Sequence, residues 1–339
     1  MAVLPSHSTS AVKQPDTAPA PGTLMVARRF LARYGVIVAM ILTFIVFASL
    51  RPSSFLTLFM MKSILRDCAP LLIVSLGITF VLAMNDYDLS VGGLVALCAT
   101  TAVVFVSTSY MGLGTLPGVL LALLVGLGLG SITGALIAYA ALPSFILTIA
   151  MGTVFTGLGL HLTGSASIFE GIPESYSAIA GDVSFGLSNQ IYIALAVLFV
   201  AHVFLRHTEP GRYMYAIGGN AEAARLSGVP VRFLKALGYG IVGLLAALTG
   251  VLLTSQAGAA NPNTGLGLLL PAYAAAFLGS SMLRPGSFTP VGTALGALFL
   301  QVIGSGLTVL NLSGPLVQII QGGILAIAIL LARLSRKGE

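Results

Sequence analysis

The sequence predicts an all-helical integral membrane protein with about ten spans and both termini in the cytoplasm, and three observations carry that prediction. Of the 339 residues, 57% are hydrophobic and only 8% are charged, with a mean hydropathy of +1.01. Apolar runs of roughly 20 residues, the length that crosses ~30 Å of hydrocarbon, recur from one end of the chain to the other. The basic residues are gathered at the ends of those runs, where Lys and Arg mark the cytoplasmic side.

Residues 1–33 are rich in Ser, Thr, Pro and Ala and close on Arg28, Arg29 and Arg33, which predicts a disordered cytoplasmic tail. The apolar run 34–50 behind them is a first anchor and not a cleaved signal peptide. The polar region before it is long, Arg51-Pro52 follows it, and further hydrophobic segments come at once. Later spans are expected at 67–84, 89–109, 116–139, 144–163, 190–205, 235–255, 267–283, 289–311 and 315–333, with 334–339 as a second cytoplasmic tail. Only helices satisfy the backbone at these lengths in lipid.

Three basic clusters set the orientation: Lys13, Arg28, Arg29 and Arg33; Arg206, Arg212, Arg225, Arg232 and Lys235; and Arg333, Arg336 and Lys337. All three belong in the cytoplasm, so six spans precede the central cluster and four follow it. The segment 164–189, whose charges are Glu170, Glu174 and Asp182, then falls outside. Arg51, Lys62 and Arg66 disobey, and they predict an interfacial helix over Ser54–Arg66.

Gly130–Leu136 and Gly292–Leu298 share the pattern G-x-x-x-G-A-L ahead of long apolar segments, which predicts an internal two-fold repeat or, equally, two sites of close helix packing. Cys68 and Cys98 lie in apolar surroundings with no paired spacing and read as small core residues. His161 and His202 have no second ligand at i+3 or i+4, so no metal site is expected.

Two polar segments interrupt the apolar pattern. The first, Asn85-Asp86-Tyr87-Asp88-Leu89-Ser90-Val91-Gly92-Gly93, puts two carboxylates and a glycine pair between two spans. Ionisable groups near bilayer depth face cavities or pathways, and broken helices bring backbone groups to a polar interior. Asp86, Asp88, Ser90, Gly92 and Gly93 are therefore candidates for a translocation pathway, with Ser90 or Asp88 placed to cap the next helix. The bland reading is a surface loop with a capping Asp88.

The second segment is the polar island 206–235. Within it Asn220 is placed to cap a helix at Ala221–Ser227, Glu222 sits in its first turn, and Gly228 and Pro230 stop it. A helix of about two turns is marginal alone, so one punctuated at both ends is expected to rest against something outside the bilayer. The competing reading is a solvated loop with an incidental turn.

None of the four lysines, Lys13, Lys62, Lys235 and Lys337, ends a phosphate-binding G-x-x-x-x-G-K-[ST] loop. No hydrolase triad or HExxH pattern is present, so catalytic residues and cofactors are not expected. The basic excess sits at span ends and speaks for orientation, not for nucleic acid.

The island and the helix break together resemble a known family, the permease subunits of bacterial ATP-binding-cassette importers for ribose, xylose, arabinose, galactosides and related solutes. The matching stretches occur in order: Asp88–Gly93, Leu142–Gly152, Leu162–Gly164, Gly211–Tyr213 and Gly218–Val229. Asn85-Asp86-Tyr87 departs from the family's glycine-rich, less acidic lead-in.

The resemblance implies a multi-pass permease domain over 34–333 in the bacterial inner membrane, importing a small polar solute, a pentose first. A second permease copy or a homologous permease would complete the pathway, an extracytoplasmic solute-binding protein would deliver the solute, and lipid surrounds the whole. Two ATPase domains, which would hold ATP and Mg, would dock on Gly211, Arg212, Gly219, Asn220, Glu222, Ala223, Arg225, Leu226 and Gly228. The alternative is a stand-alone secondary transporter coupled through Asp86 or Asp88. The solute itself is not written in the sequence.

Overall fold

The computed structural model describes residues 23–282, 286–323 and 326, with side chains from Ile37 onward except at Met282. Residues 1–22 of the expected tail, the last part of the tenth span and the cluster Arg333, Arg336 and Lys337 lie outside the described residues.

The chain begins with α1 (Thr23–Leu50), which starts ahead of the expected Tyr34, and continues through a single turn, α2 (Pro52–Phe55), into the long α3 (Leu58–Ala83). The expected interfacial helix over Ser54–Arg66 does not exist as a separate element. Thr57 caps α3 by accepting the Met60 amide, and the helix then runs unbroken through Lys62 and Arg66. Pro70 does not break it, because the carbonyl its missing N–H would have served, that of Arg66, receives the side-chain amide of Gln190 at 2.8 Å. The anomalous charges at this end are tempered locally, since Arg66 pairs with Asp67 at 2.9 Å.

Asn85 ends α3 with φ +57, a left-handed position that Asn tolerates. The next helix, α4 (Val91–Val106), is buried throughout except at Phe105 and forms the centre of the bundle. At 16 residues it is about 24 Å long. Around it pack α5 (Thr115–Tyr139) and α6 (Ser144–Thr163), the latter matching its expected bounds.

The segment 164–189 is built, not loose. It contains α7 (Glu174–Gly181) and a hairpin of β1 (Val183–Ser184) and β2 (Leu187–Ser188), a departure from an all-α description. Buried Tyr176 bonds Thr254 Oγ1 at 2.6 Å, and Ile168 bridges Ala260. The polar segment is thereby fastened over one end of the helices.

At the other end α8 (Asn189–His207) leads into α9 (Glu209–Gly219), α10 (Ala221–Leu226) and the long α11 (Val231–Ala257). The eighth expected span, 267–283, corresponds to a 3-10 turn followed by a helix, entered from a non-helical stretch. Residues 258–265 leave α11 without helical structure, Gly265 presses against Val95 with φ +96, and only then do a 3-10 turn (Leu266–Leu268) and α12 (Leu269–Met282) begin. Beyond it come α13 (Pro290–Val309) and a further helix over 314–323.

Six of these helices, α3, α5, α6, α8, α11 and α13, are long and apolar enough to cross a membrane, with shorter apolar helices at Ile37–Leu50, Val91–Val106 and Leu266–Ser281. Both G-x-x-x-G-A-L motifs sit at helix crossings. A Cβ on Gly130 or Gly134 would collide with Tyr239 of α11, and one on Gly292 or Gly296 with the backbone of α12 at Gly279 or Ala275. Close packing accounts for both. Hydroxyls inside the bundle bond their own helix, as Thr79 does to the Ser75 carbonyl and Thr249 to that of Leu245, both at 2.8 Å.

Candidate functional site

The island is a helical elbow, not a solvated loop. Thr208 ends α8 by donating to the Phe204 carbonyl at 2.6 Å, and its oxygen starts α9 by accepting the Gly211 amide at 3.3 Å. Gly211 lies so close to the Phe204 carbonyl that no side chain fits there. Met214 and Ile217 bury the inner face of α9. That helix was missed in the sequence, where its few apolar positions read as loop.

The capped short helix occurs as expected. Asn220 Oδ1 accepts the amides of Glu222 at 3.1 Å and Ala223 at 3.0 Å, and Gly228 takes φ +85 at the exit. Glu222 and Arg225 pair on the exposed face at 2.6 Å, and the guanidinium holds the Glu222 carboxyl below its usual range. This pair is fully accessible to water and adds little stability. Ala224 faces inward, while Leu226 is 75% exposed. Among the expected docking residues, Arg212, Gly219, Asn220, Glu222, Ala223, Arg225, Leu226 and Gly228 are thus outward, and Gly211 is buried. An alanine at Asn220 is expected to destabilise the protein by about 1 kcal/mol, readable as a lowered melting temperature of the purified permease.

The helix break at 84–90 lies beside the elbow. Asp86 and Asp88 are buried and Asn85 and Tyr87 exposed. Four helices hold the backbone of the segment. The Asp86 amide bonds the Val81 carbonyl of α3 at 3.0 Å, Tyr239 of α11 donates to the Tyr87 carbonyl at 2.8 Å, and the amides of Asp88 and Leu89 reach Tyr273 of α12 and Thr148 of α6 at 2.8 and 3.1 Å. Asp88 Oδ1 accepts both the amide and the hydroxyl of Ser90. Neither expected cap of α4 acts through its side chain: Ser90 Oγ takes no amide of the helix, and the Asp88 carboxylate closes a turn onto Ser90, the residue before the helix.

Lys235 Nζ lies 2.9 Å from Asp86 Oδ2, with Asp86 the more deeply buried partner. The same corner joins the elbow to α3, because Gly218 of α9 packs on the Ala83 carbonyl so closely that a side chain would overlap it. Two independent contacts therefore link the elbow segment 208–235 to the helix break.

The expected pathway residues divide. Asp86, Asp88 and Ser90 are enclosed by protein, whereas Gly92 and Gly93 border a cleft of about 520 Å³ between α4, α6 and the turn at Leu266. Gly152, Thr153, Thr156 and Gly157 of α6 form its other wall, and sequence reasoning did not assign them to the site. A Cβ at Gly93 would overlap the Gly152 carbonyl and lie 2.9 Å from Thr156 Oγ1, while one at Gly92 meets nothing nearer than 3.4 Å. No group of three metal-ligating side chains occurs among the described residues. The carboxylates offer little to a proton-coupled carrier, since Asp86 is bound by Lys235 and Asp88 by Ser90, and that alternative is not favoured.

Residues 60–329 match the family model described as "Branched-chain amino acid transport system / permease component". The chain is 31% identical over 297 residues to the ribose import permease protein of Escherichia coli strain K12, covering 87% of this chain and 91% of that one. It is 31% identical over 280 residues to the autoinducer 2 import system permease protein of Yersinia pseudotuberculosis serotype O:1b, covering 83% and 79%. A probable ABC transporter permease of Sinorhizobium fredii shares 34% over 274 residues, 79% of each chain. No solved structure matches the chain. With the elbow, the helix break and this coverage in agreement, the chain belongs to the permease subunits of ATP-binding-cassette importers, in the family described as the permease component of branched-chain amino acid transport systems.

Proposed function

We propose that this permease carries a small sugar, a pentose or a related furanose, inward across the bacterial inner membrane, driven by ATPase subunits seated on the elbow. The observation that carries the reading is the elbow itself: a short helix, α10, capped at both ends and presenting Leu226 and the Glu222–Arg225 pair outward, joined directly to α9, whose Gly218 is wedged against the end of α3. A displacement of α10 by a closing ATPase would reach the α3–α4 connection without passing through a flexible loop. Two ATPase domains would hold the ATP and Mg, and an extracytoplasmic protein would deliver the solute to the end covered by 164–189. The solute class follows the relatives named for ribose and autoinducer 2.

A second copy of the chain, or a homologous permease, fits the open side of the cleft. Along α6 the residues Phe145, Ile146, Ile149 and Val154 are exposed beside it, and this helix is the least buried of the six long ones. Both termini are placed in the cytoplasm. Val183→Cys and Ser227→Cys, each in a background lacking Cys68 and Cys98, are expected to react with an impermeant thiol reagent from opposite sides. Labelling of both from the periplasmic side would overturn the orientation.

The deciding experiment reconstitutes the permease with its genomically neighbouring ATPase and binding protein and follows labelled ribose. Uptake is expected to require ATP and to survive a protonophore. Leu226→Asp is expected to reduce co-purification of the ATPase at least about tenfold, the loss of roughly 1.4 kcal/mol from a buried anchor. Normal association of that variant would move the docking site elsewhere.

A further inference from the structure

We propose a binding site for the headgroup of an anionic phospholipid in the cleft between the end of α8, α9 and the start of α13. It is about 760 Å³ in volume, and His202, Arg206, His207, Arg212, Tyr215 and Thr289 line it. Arg206 and Arg212 bring two permanent positive charges to one concavity, and among the described residues neither forms an ion pair. Glu209, the carboxylate next in sequence, instead accepts the Tyr213 hydroxyl. His202 Nδ1 is buried without a hydrogen-bond partner among the described residues, and its ring stands edge-on to His207 with centroids 5.8 Å apart. The cleft also takes in the N-terminal end of a 20-residue helix, α13, whose dipole adds positive potential. Two guanidinium groups lining one cleft suit a phosphodiester.

The surroundings select a lipid over a soluble anion. One to two turns up α8 from Arg206, the side chains of Val203, Val200 and Phe199 are 36%, 63% and 69% exposed. An acyl chain laid on that apolar strip places its phosphate at the level of Arg206 and Arg212, where the helix leaves the hydrocarbon. Basic clefts between membrane helices at the cytoplasmic surface are suited to such headgroups. This site does not depend on the transport reading, only on the chain's place in a bilayer.

The test uses the full-length permease in phosphatidylcholine nanodiscs, titrated with phosphatidylglycerol and scored by native mass spectrometry of retained lipid. Arg206→Gln is expected to weaken retention about fivefold, and Arg206→Gln with Arg212→Gln about 25-fold, from roughly fivefold per basic group. Arg51→Gln, at the opposite end of the bundle, is expected to change nothing. Inorganic phosphate at the same concentration is expected not to compete. Should the double variant be unstable, His207→Gln replaces it, with a smaller but measurable loss. Unchanged retention in the folded variants, or displacement of the lipid by phosphate, overturns the proposal.

Discussion

Replacing Gly93 by alanine is expected to abolish most ATP-dependent uptake while leaving the protein inserted in the membrane. The added methyl would occupy the space of the Gly152 carbonyl, with Thr156 Oγ1 only 2.9 Å away. Neither neighbour yields easily. The carbonyl belongs to the backbone of α6 and accepts the Thr156 hydroxyl at 2.8 Å, so α6 as a whole has to move off α4. Overpacking of this kind costs about 1–3 kcal/mol, and because the clash lies on a wall of the cleft, it falls on the conformations that the transport cycle must visit. A penalty of that size is about 5- to 150-fold in an equilibrium between states. Gly92→Ala and Gly157→Ala serve as controls, since a Cβ at the first meets nothing nearer than 3.4 Å and at the second lies in open space. Uptake in proteoliposomes is expected to fall with the first variant and to persist with both controls. Normal transport by Gly93→Ala would show that α4 and α6 separate freely and that the cleft is not part of the route.

What the sequence disclosed was chemistry that acts over a few residues. Asn220, Glu222 and Gly228 announce a capped helix because a cap, a first-turn anion and a left-handed exit each involve groups within four positions, and the structure has all three. The same holds for α6, bracketed by Pro143 and Gly164. Its apolar length alone would not have fixed both ends. Hydropathy, however, measures length along the chain and not depth in the bilayer. It therefore placed the helical stretch 267–283 but gave no sign that residues 258–265 ahead of it pack on the bundle, with Ala260 buried and Gly265 against Val95. It also gave no reason to join Ser54–Arg66 to α3, because the side chain that satisfies the carbonyl exposed by Pro70 comes from Gln190, 124 positions away. The α9 helix escaped notice because its inner face consists of Gly211, Met214 and Ile217, too slight an apolar stripe to register. Both carboxylates of the helix break were recognised as unusual. Their partners were not, since Lys235 lies 149 residues from Asp86 and Tyr273 lies 185 from Asp88.

Asp86→Ala is expected to be among the most damaging single substitutions in the chain, and its damage is expected to be relieved by charge exchange. Lys235 Nζ and Asp86 Oδ2 are 2.9 Å apart, and the carboxylate side chain is 7% exposed against 26% for the lysine. Removing the acid leaves an ammonium partly enclosed with no carboxylate in reach, and breaking a buried pair in this way costs about 3–5 kcal/mol. The contact is also a link between the elbow and the helix break, beside the packing of Gly218 against Ala83. If the pair only stabilises the fold, Asp86→Asn, which keeps the shape and a hydrogen-bond acceptor, lowers the melting temperature and leaves the ratio of solute moved to ATP hydrolysed unchanged. If it transmits movement from the elbow, Asp86→Asn hydrolyses ATP with its partners yet moves less solute per ATP. We expect the second result, together with recovery of the ratio in the exchange Asp86→Lys with Lys235→Asp. The pair is judged by its coupling energy, the difference between the double variant and the sum of the singles, because residues in direct contact depart from additivity by about 0.5–3 kcal/mol. Retained ATPase binding with an unaltered ratio in all three variants would confine Asp86 and Lys235 to a structural role and leave transmission to the packing of Gly218 on the end of α3.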